Sequence, residues 1–238
     1  MKLLPEIPDL PVGSRILFPS PSPDEDIVAV GGNLSPGMLL SAYSQGVFPW
    51  FSPGDPLIWW SPCERMVLPL GELHVSRRMR RIRRKATLRF TWDVRFHKVI
   101  SRCSSVPRGG QFGTWIDSRM IEAYTRLHHE GYAHSIEAWD GADLAGGLYG
   151  VSLGRAFFGE SMFSHVPDSS KLCFYLLHDR LLELGFHMID CQMYTPHLES
   201  LGASLVSREE YMEMLRRALK HPTITGHWAT LRNMRSPR

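Results

Sequence analysis

Between Leu148 and Met193 the chain changes element type in an order that leaves few folds open. Leu148–Leu153 and Ala156–Phe163 read as two strands joined tightly at Gly154-Arg155. Ser169 or Ser170 then caps an apolar helix through Leu184, Gly185 sits where a C′ glycine belongs, and His187–Met193 reads as a further strand. Strand, crossover helix and strand make a βαβ unit, so part of the sheet is expected to be parallel. Upstream, Ser118 to about His129 reads as a helix, His134–Trp139 as a strand and Asp140-Gly141 as a turn. The pattern predicts an α+β (mixed α/β) fold without internal repeats.

The first 62 residues have a different character. Most of the 17 prolines fall there, together with an aromatic cluster around Phe48–Trp60. One helix is predicted from Ser35 to about Gln45, with Ser35 as N-cap, Pro36 at the first helical position and Gly46 ending it. Turns at Gly31-Gly32-Asn33, Ser52-Pro53-Gly54-Asp55 and Ser61-Pro62 surround it. The reading is a small domain over 1–62 followed by a larger one over 63–238, with the boundary near residues 62 to 72. A chain of 238 residues with 43% apolar side chains can bury a core without disulfides. Its four cysteines form no Cys-x-x-Cys pair, no apolar run approaches membrane-spanning length, and the proline-bearing N-terminus does not resemble a signal peptide. A cytoplasmic protein with reduced thiols is the expectation.

Charge is distributed unevenly. From His74 to Arg108 there are twelve Lys/Arg against the single acid Asp93, a local net of +11 in a chain whose total is +3. A helix beginning after Ser76 places Val75, Met79, Ile82 and Ala86 on one apolar stripe. Arg77, Arg78, Arg80, Arg81, Arg83 and Arg84 then occupy the flanks and outer face, where they can meet a polyanion such as nucleic acid. A solvated arginine-rich face is the alternative.

Polar residues within apolar strands mark the candidate chemistry. In Met188-Ile189-Asp190-Cys191-Gln192-Met193, strand alternation sends Asp190 and Gln192 to one side. They form a polar site, or Asp190 braces a neighbouring loop. Glu160 lies between Phe157-Phe158 and Met162-Phe163, so its carboxylate must be paired, hydrogen-bonded or shifted in pKa. Trp50, Trp59, Trp60 and Trp115 can stack nucleobases or supply a core. Gly146-Gly147-Leu148-Tyr149-Gly150 matches neither the dinucleotide nor the P-loop pattern, and the histidines lack the spacing of a zinc helix, so no metal is expected.

Six blocks in order resemble the bacterial leucyl/phenylalanyl-tRNA–protein transferase family. They are Gly31-Gly32-Asn33-Leu34-Ser35-Pro36, Gly46 to Gly54, Trp59-Trp60-Ser61-Pro62, Gly113-Thr114-Trp115-Ile116, Gly159 to Ser164 and Ile189-Asp190-Cys191-Gln192. The resemblance implies a small N-terminal domain plus a larger GCN5-type acetyltransferase-like domain. It implies transfer of Leu or Phe, and Met more weakly, from Leu-tRNA or Phe-tRNA to proteins beginning with Arg or Lys, which are then recognised for degradation. No cofactor is expected: the chain has no Gln/Arg-x-x-Gly-x-Gly pyrophosphate loop, hence no coenzyme A, although the fold alone would allow coenzyme-A-dependent acylation. By motif, Asp190 and Gln192 match the catalytic pair. Trp50, Trp115, Tyr43 and Tyr124 match residues around the terminal adenosine. Leu148, Phe157, Phe174, Leu177 and Ile189 match walls of the pocket for the transferred side chain, with Glu160 at its base and Ser161 beside it. The helix at Arg77–Arg84 matches the tRNA-binding region.

Overall fold

The computed structural model describes residues 2–85, 87–106 and 115–231. The N-terminal part holds β1 (Lys2–Leu3), β2 (Ile27–Val30), α1 (Pro36–Ser44), β3 (Phe48–Pro49) and β4 (Ile58–Trp60). Its strands form a small sheet in the order β1-β2-β4-β3. Pro36 opens α1 as expected, and Gly46 ends it at φ +74°, a conformation that favours glycine. Ser35 takes the N-cap position as expected, but its hydroxyl donates to Asn33 Oδ1 at 2.6 Å rather than accepting from the first turn.

The larger part holds β5 (Glu64–Pro69), α2 (Arg77–Lys85), β6 (Arg89–Trp92), α3 (Phe96–Ser104), α4 (Ser118–His129), β7 (Ala133–Asp140), β8 (Asp143–Leu153) and β9 (Ala156–Ser164). It continues through α5 (Ser169–Glu183), β10 (Met188–Gln192), α6 (Pro196–Ser200), β11 (Ser204–Ser207), α7 (Arg208–Ala218) and a short 3₁₀ turn at Trp228–Thr230. Seven strands pair in the order β11-β5-β10-β9-β8-β7-β6. All neighbours are antiparallel except β9 and β10, the parallel pair that the βαβ reading requires. The chain is thus mixed α/β with a small N-terminal domain and a larger sheet domain.

One local reading changes. Ser169 lies inside α5 and turns its hydroxyl to the carbonyls of Ala145 and Val166 at 2.9 and 2.7 Å, so it is not the cap. Asp168 takes the N-cap position, and its carboxylate is paired with Arg78. The glycine-rich run Gly146-Gly147-Leu148-Tyr149-Gly150 lies within β8. A Cβ at Gly146 would lie 2.2 Å from Ser169 Oγ, so glycine there lets α5 approach the sheet.

One face of the large sheet packs on α3, α4 and α1, the other on α5 and the apolar side of α2, where Met79 is buried. Arg208, the first residue of α7, joins the two parts. Its guanidinium donates to the carbonyls of Ser22, Glu25 and Ser61 at 2.8, 2.5 and 2.6 Å.

Candidate active site

The site exists because β9 and β10 part company. Their parallel pairing runs through Ala156↔Met188, Phe157↔Ile189 and Phe158↔Asp190. Beyond that point β9 stays with β8, while β10 follows β5 through a register shift between Asp190 and Gln192. Gln192 takes φ +63°, in the left-handed region that a non-glycine residue adopts only at a cost. The strands therefore diverge and leave a cleft of about 630 Å³.

The cleft brings together most of the residues singled out in the sequence. Leu148, Phe174, Leu177 and Ile189 supply apolar wall, Trp50 and Trp115 stand at its side, and Glu160, Ser161 and Gln192 supply polar lining. Trp50 is set by its neighbour: the Trp60 indole donates to the Trp50 carbonyl at 2.7 Å, and the two rings lie 5.3 Å apart.

Other expected residues sit behind this lining. Phe157 is one layer deeper, where its ring lies 5.9 Å from Trp228, because alternation along β9 turns it into the core under α5. Tyr43 and Tyr124 are fully buried behind the lining, each with its hydroxyl on Glu160. Asp190 does not line the cleft either. Strand alternation placed it beside Gln192, but the bulge and the positive φ separate the two side chains. Asp190 faces Arg65 and Tyr211, whereas Gln192 faces Glu160. Of the motif blocks, Gly113 and Thr114 lie outside the described residues, as does Ala86 of the helix stripe.

Glu160 is the centre of a buried hydrogen-bonded cluster. It accepts from Tyr43 Oη at 2.8 Å and Gln192 Nε2 at 2.7 Å on one oxygen, and from Tyr124 Oη at 3.1 Å on the other. The two tyrosine hydroxyls are also in contact, so one of their two protons is shared between the other hydroxyl and the carboxylate. Burial is the largest influence and pushes the Glu160 carboxyl up to about 7, against the three donors, which favour the anion. Burial also raises both tyrosines well above their usual range, so they stay protonated donors. A carboxyl at about 7 in the fold and 4.5 ordinarily stabilises the fold most below pH 4.5, and that contribution is lost as pH rises to about 7. Glu160→Gln is expected to abolish this slope, about 3 kcal/mol across the window. Urea unfolding of both proteins at pH 4.5 and 7 reads it, and parallel pH dependences would contradict it.

With Nε2 committed to Glu160, the Gln192 carbonyl oxygen takes no hydrogen bond among the described residues and is the acceptor available to the cleft. Asp190 instead belongs to a buried ion pair that sequence reading did not find. Arg65 Nε and Nη2 donate to its two oxygens at 2.9 and 2.7 Å, with both side chains at most 1% exposed. Burial opposes the Arg65 charge most strongly, but Asp190, with Tyr211 and Glu160, together outweigh it and keep the guanidinium charged. An aspartate buried in a strand requires such a partner, which is the only sequence signal that pointed to one.

The arginine helix divides into two sets. Arg78 pairs with Asp168 at 2.6 Å and Arg83 with Asp179 at 2.5 Å, which ties α2 to α5. Arg77, Arg80, Arg81 and Arg84 are exposed. No group of three or more His, Cys, Asp or Glu among the described residues is placed to hold a metal ion.

The leucyl/phenylalanyl-tRNA protein transferase family model matches residues 67–216, and the model of that family's N-terminal domain matches residues 32–63. The chain belongs to this family. It is similar to the leucyl/phenylalanyl-tRNA–protein transferase of Syntrophus aciditrophicus (strain SB), 49% identical over 94% of this chain and 95% of that protein. The same-named protein of Anaeromyxobacter dehalogenans (strain 2CP-C) is 51% identical over 89% and 91% of the two chains. That of Legionella pneumophila (strain Corby) is 47% identical over 91% and 97%. The protein is therefore an aminoacyltransferase that takes its acyl group from aminoacyl-tRNA and gives it to a protein. Among the described residues no helix is long and apolar enough to cross a membrane.

Proposed function

We propose that this cytoplasmic transferase moves Leu or Phe, and Met more slowly, from Leu-tRNA or Phe-tRNA to the α-amino group of proteins beginning with Arg or Lys, marking them for degradation. Residues 1–62 form the small domain in this reading, and residues 63–238 carry the chemistry. The observation that carries it is the cleft itself, where an apolar wall meets one open amide carbonyl, that of Gln192.

The donor is already an activated ester, so positioning can supply much of the rate. The acceptor amine, with a pKa of about 7.7–8.0, has an appreciable neutral fraction near neutral pH. Gln192 Oε1 accepts a hydrogen bond from that amine and aims its lone pair at the ester carbonyl carbon. The new C–N bond forms as the C–O bond to the terminal ribose breaks. The released ribose oxygen takes up one proton as the nitrogen gives one up. Asp190 acts at one remove, since both of its oxygens are occupied.

Leu148, Phe174, Leu177 and Ile189 form the wall that reads the transferred side chain, and Trp50 and Trp115 flank the terminal adenosine. An apolar wall discriminates a methyl group by about 1–3 kcal/mol. Transfer from Leu-, Phe-, Met-, Ile- and Val-tRNA under single turnover tests the reading. Leu and Phe should be fastest, Met slower, and the β-branched pair at least about tenfold below Leu. Equal rates for Leu and Ile would contradict it.

The exposed arginines of α2 hold the tRNA through its phosphates, which carry little sequence information. With four such contacts, affinity should fall about 10²-fold between ~50 and ~200 mM salt. Arg77→Ala with Arg81→Ala should flatten that dependence, and titrations superimposable on wild type would remove the helix from the interface.

A further inference from the structure

The carboxylate of Asp190 is closed to the cleft. Oδ1 accepts from Arg65 Nε and from the Gln192 backbone N–H, each at 2.9 Å. Oδ2 accepts from Arg65 Nη2 at 2.7 Å and Tyr211 Oη at 2.8 Å. Four donors on two oxygens exhaust the usual lone-pair directions. The guanidinium is held as firmly. It lies between the rings of Phe48 and Tyr211, 4.5 and 4.6 Å from their centroids, and Nη1 donates to the Gly46 carbonyl at 3.3 Å.

A buried ion pair of this kind is a poor device for stability, because well-packed apolar side chains commonly hold a fold as well. Its use is better sought in what it fixes. Gln192 has a left-handed backbone that its own residue type disfavours. Two hydrogen-bond routes converge on it. From α1 and α4, Tyr43 and Tyr124 hold Glu160, which holds the side-chain amide nitrogen. From β5 and α7, Arg65 and Tyr211 hold Asp190, which holds the backbone N–H. With both ends tied, the Gln192 carbonyl oxygen is left to the cleft.

We infer that Arg65 and Tyr211 are positioning residues of the transfer reaction: they clamp Asp190 so that it pins the Gln192 backbone and thereby aims the Gln192 carbonyl. The inference rests on Gln192 being the group that orients the acceptor amine. It gives α7, outside the apolar wall and the arginine helix, a function in catalysis through one hydroxyl. It also separates the two carboxylates of the site: one orients the amide, the other the backbone that carries it.

Tyr211→Phe removes that hydroxyl and keeps the ring against Arg65, so the fold and the donor pocket are retained. At saturating donor and acceptor, single-turnover transfer should slow about tenfold, the worth of one hydrogen bond to a charged group. Donor affinity should stay within about twofold, because the change touches no wall of the cleft. Arg65→Lys, which loses the fork geometry, should slow transfer further. The decisive readout is the cycle with Gln192→Ala, in which Tyr211→Phe should have no additional effect, since its only route runs through Gln192. A wild-type rate for Tyr211→Phe, or the same tenfold loss on both backgrounds, overturns the inference. A wild-type rate for Gln192→Ala would instead overturn the reading beneath it, so the two failures are distinguishable.

Discussion

Asp190→Ala is expected to destabilise the folded chain by about 3–5 kcal/mol, the cost of leaving a buried charge without its partner. Arg65 would keep its charge between Phe48 and Tyr211 with only the Gly46 carbonyl and the tyrosine hydroxyl as acceptors. Neither replaces a bidentate carboxylate at 2.9 and 2.7 Å. The Gln192 backbone would lose its anchor at the same time. Asp190→Asn keeps one carbonyl acceptor and the shape of the side chain, so it should cost less and retain measurable transfer. Urea denaturation at pH 7 measures the first claim. A stability within about 1 kcal/mol of wild type would mean that the ion pair does not hold the site as described.

The second large effect is on rate. Gln192→Ala should reduce transfer at saturating substrates by about 10²-fold, the scale of loss when reacting groups are no longer aligned. The donor's apparent affinity should change little, because Leu148, Phe174, Leu177 and Ile189 remain in place. A loss confined to kcat is the signature of an interaction made on the way to the transition state, whereas a rise in KM alone would mark Gln192 as a binding residue. Glu160 would also lose the donor at 2.7 Å that helps hold its carboxylate charged, so its pKa should rise further.

Local order was readable wherever one pattern decided it. The helix at Ser118–His129 has the predicted limits, and the hairpin at Gly154-Arg155, the helix ending before Gly185 and the strand carrying Asp190 all appear as expected. Glu160 stood out because a carboxylate in an apolar strand must be answered by something, and Asp190 because strand alternation set it beside an amide. What answered them was not readable, since Arg65 is 125 residues from Asp190 and Tyr43 is 117 residues from Glu160. Period-two alternation also failed at the bulge, where a one-residue shift separates Asp190 from Gln192. The stretch after Ser204 received no element from pattern reading. Yet Ser207 and Glu210 form a capping box that starts α7, a signal present in the sequence.

Alignment of the acceptor amine by Gln192 is read by single-turnover transfer of labelled Leu from Leu-tRNA to matched peptides beginning with Arg or Ala, by wild type and by Gln192→Ala. Wild type should label the Arg peptide selectively, and the variant should lose about 10²-fold with donor affinity retained. Equal labelling of both peptides, or an undiminished rate in the variant, would contradict this reading.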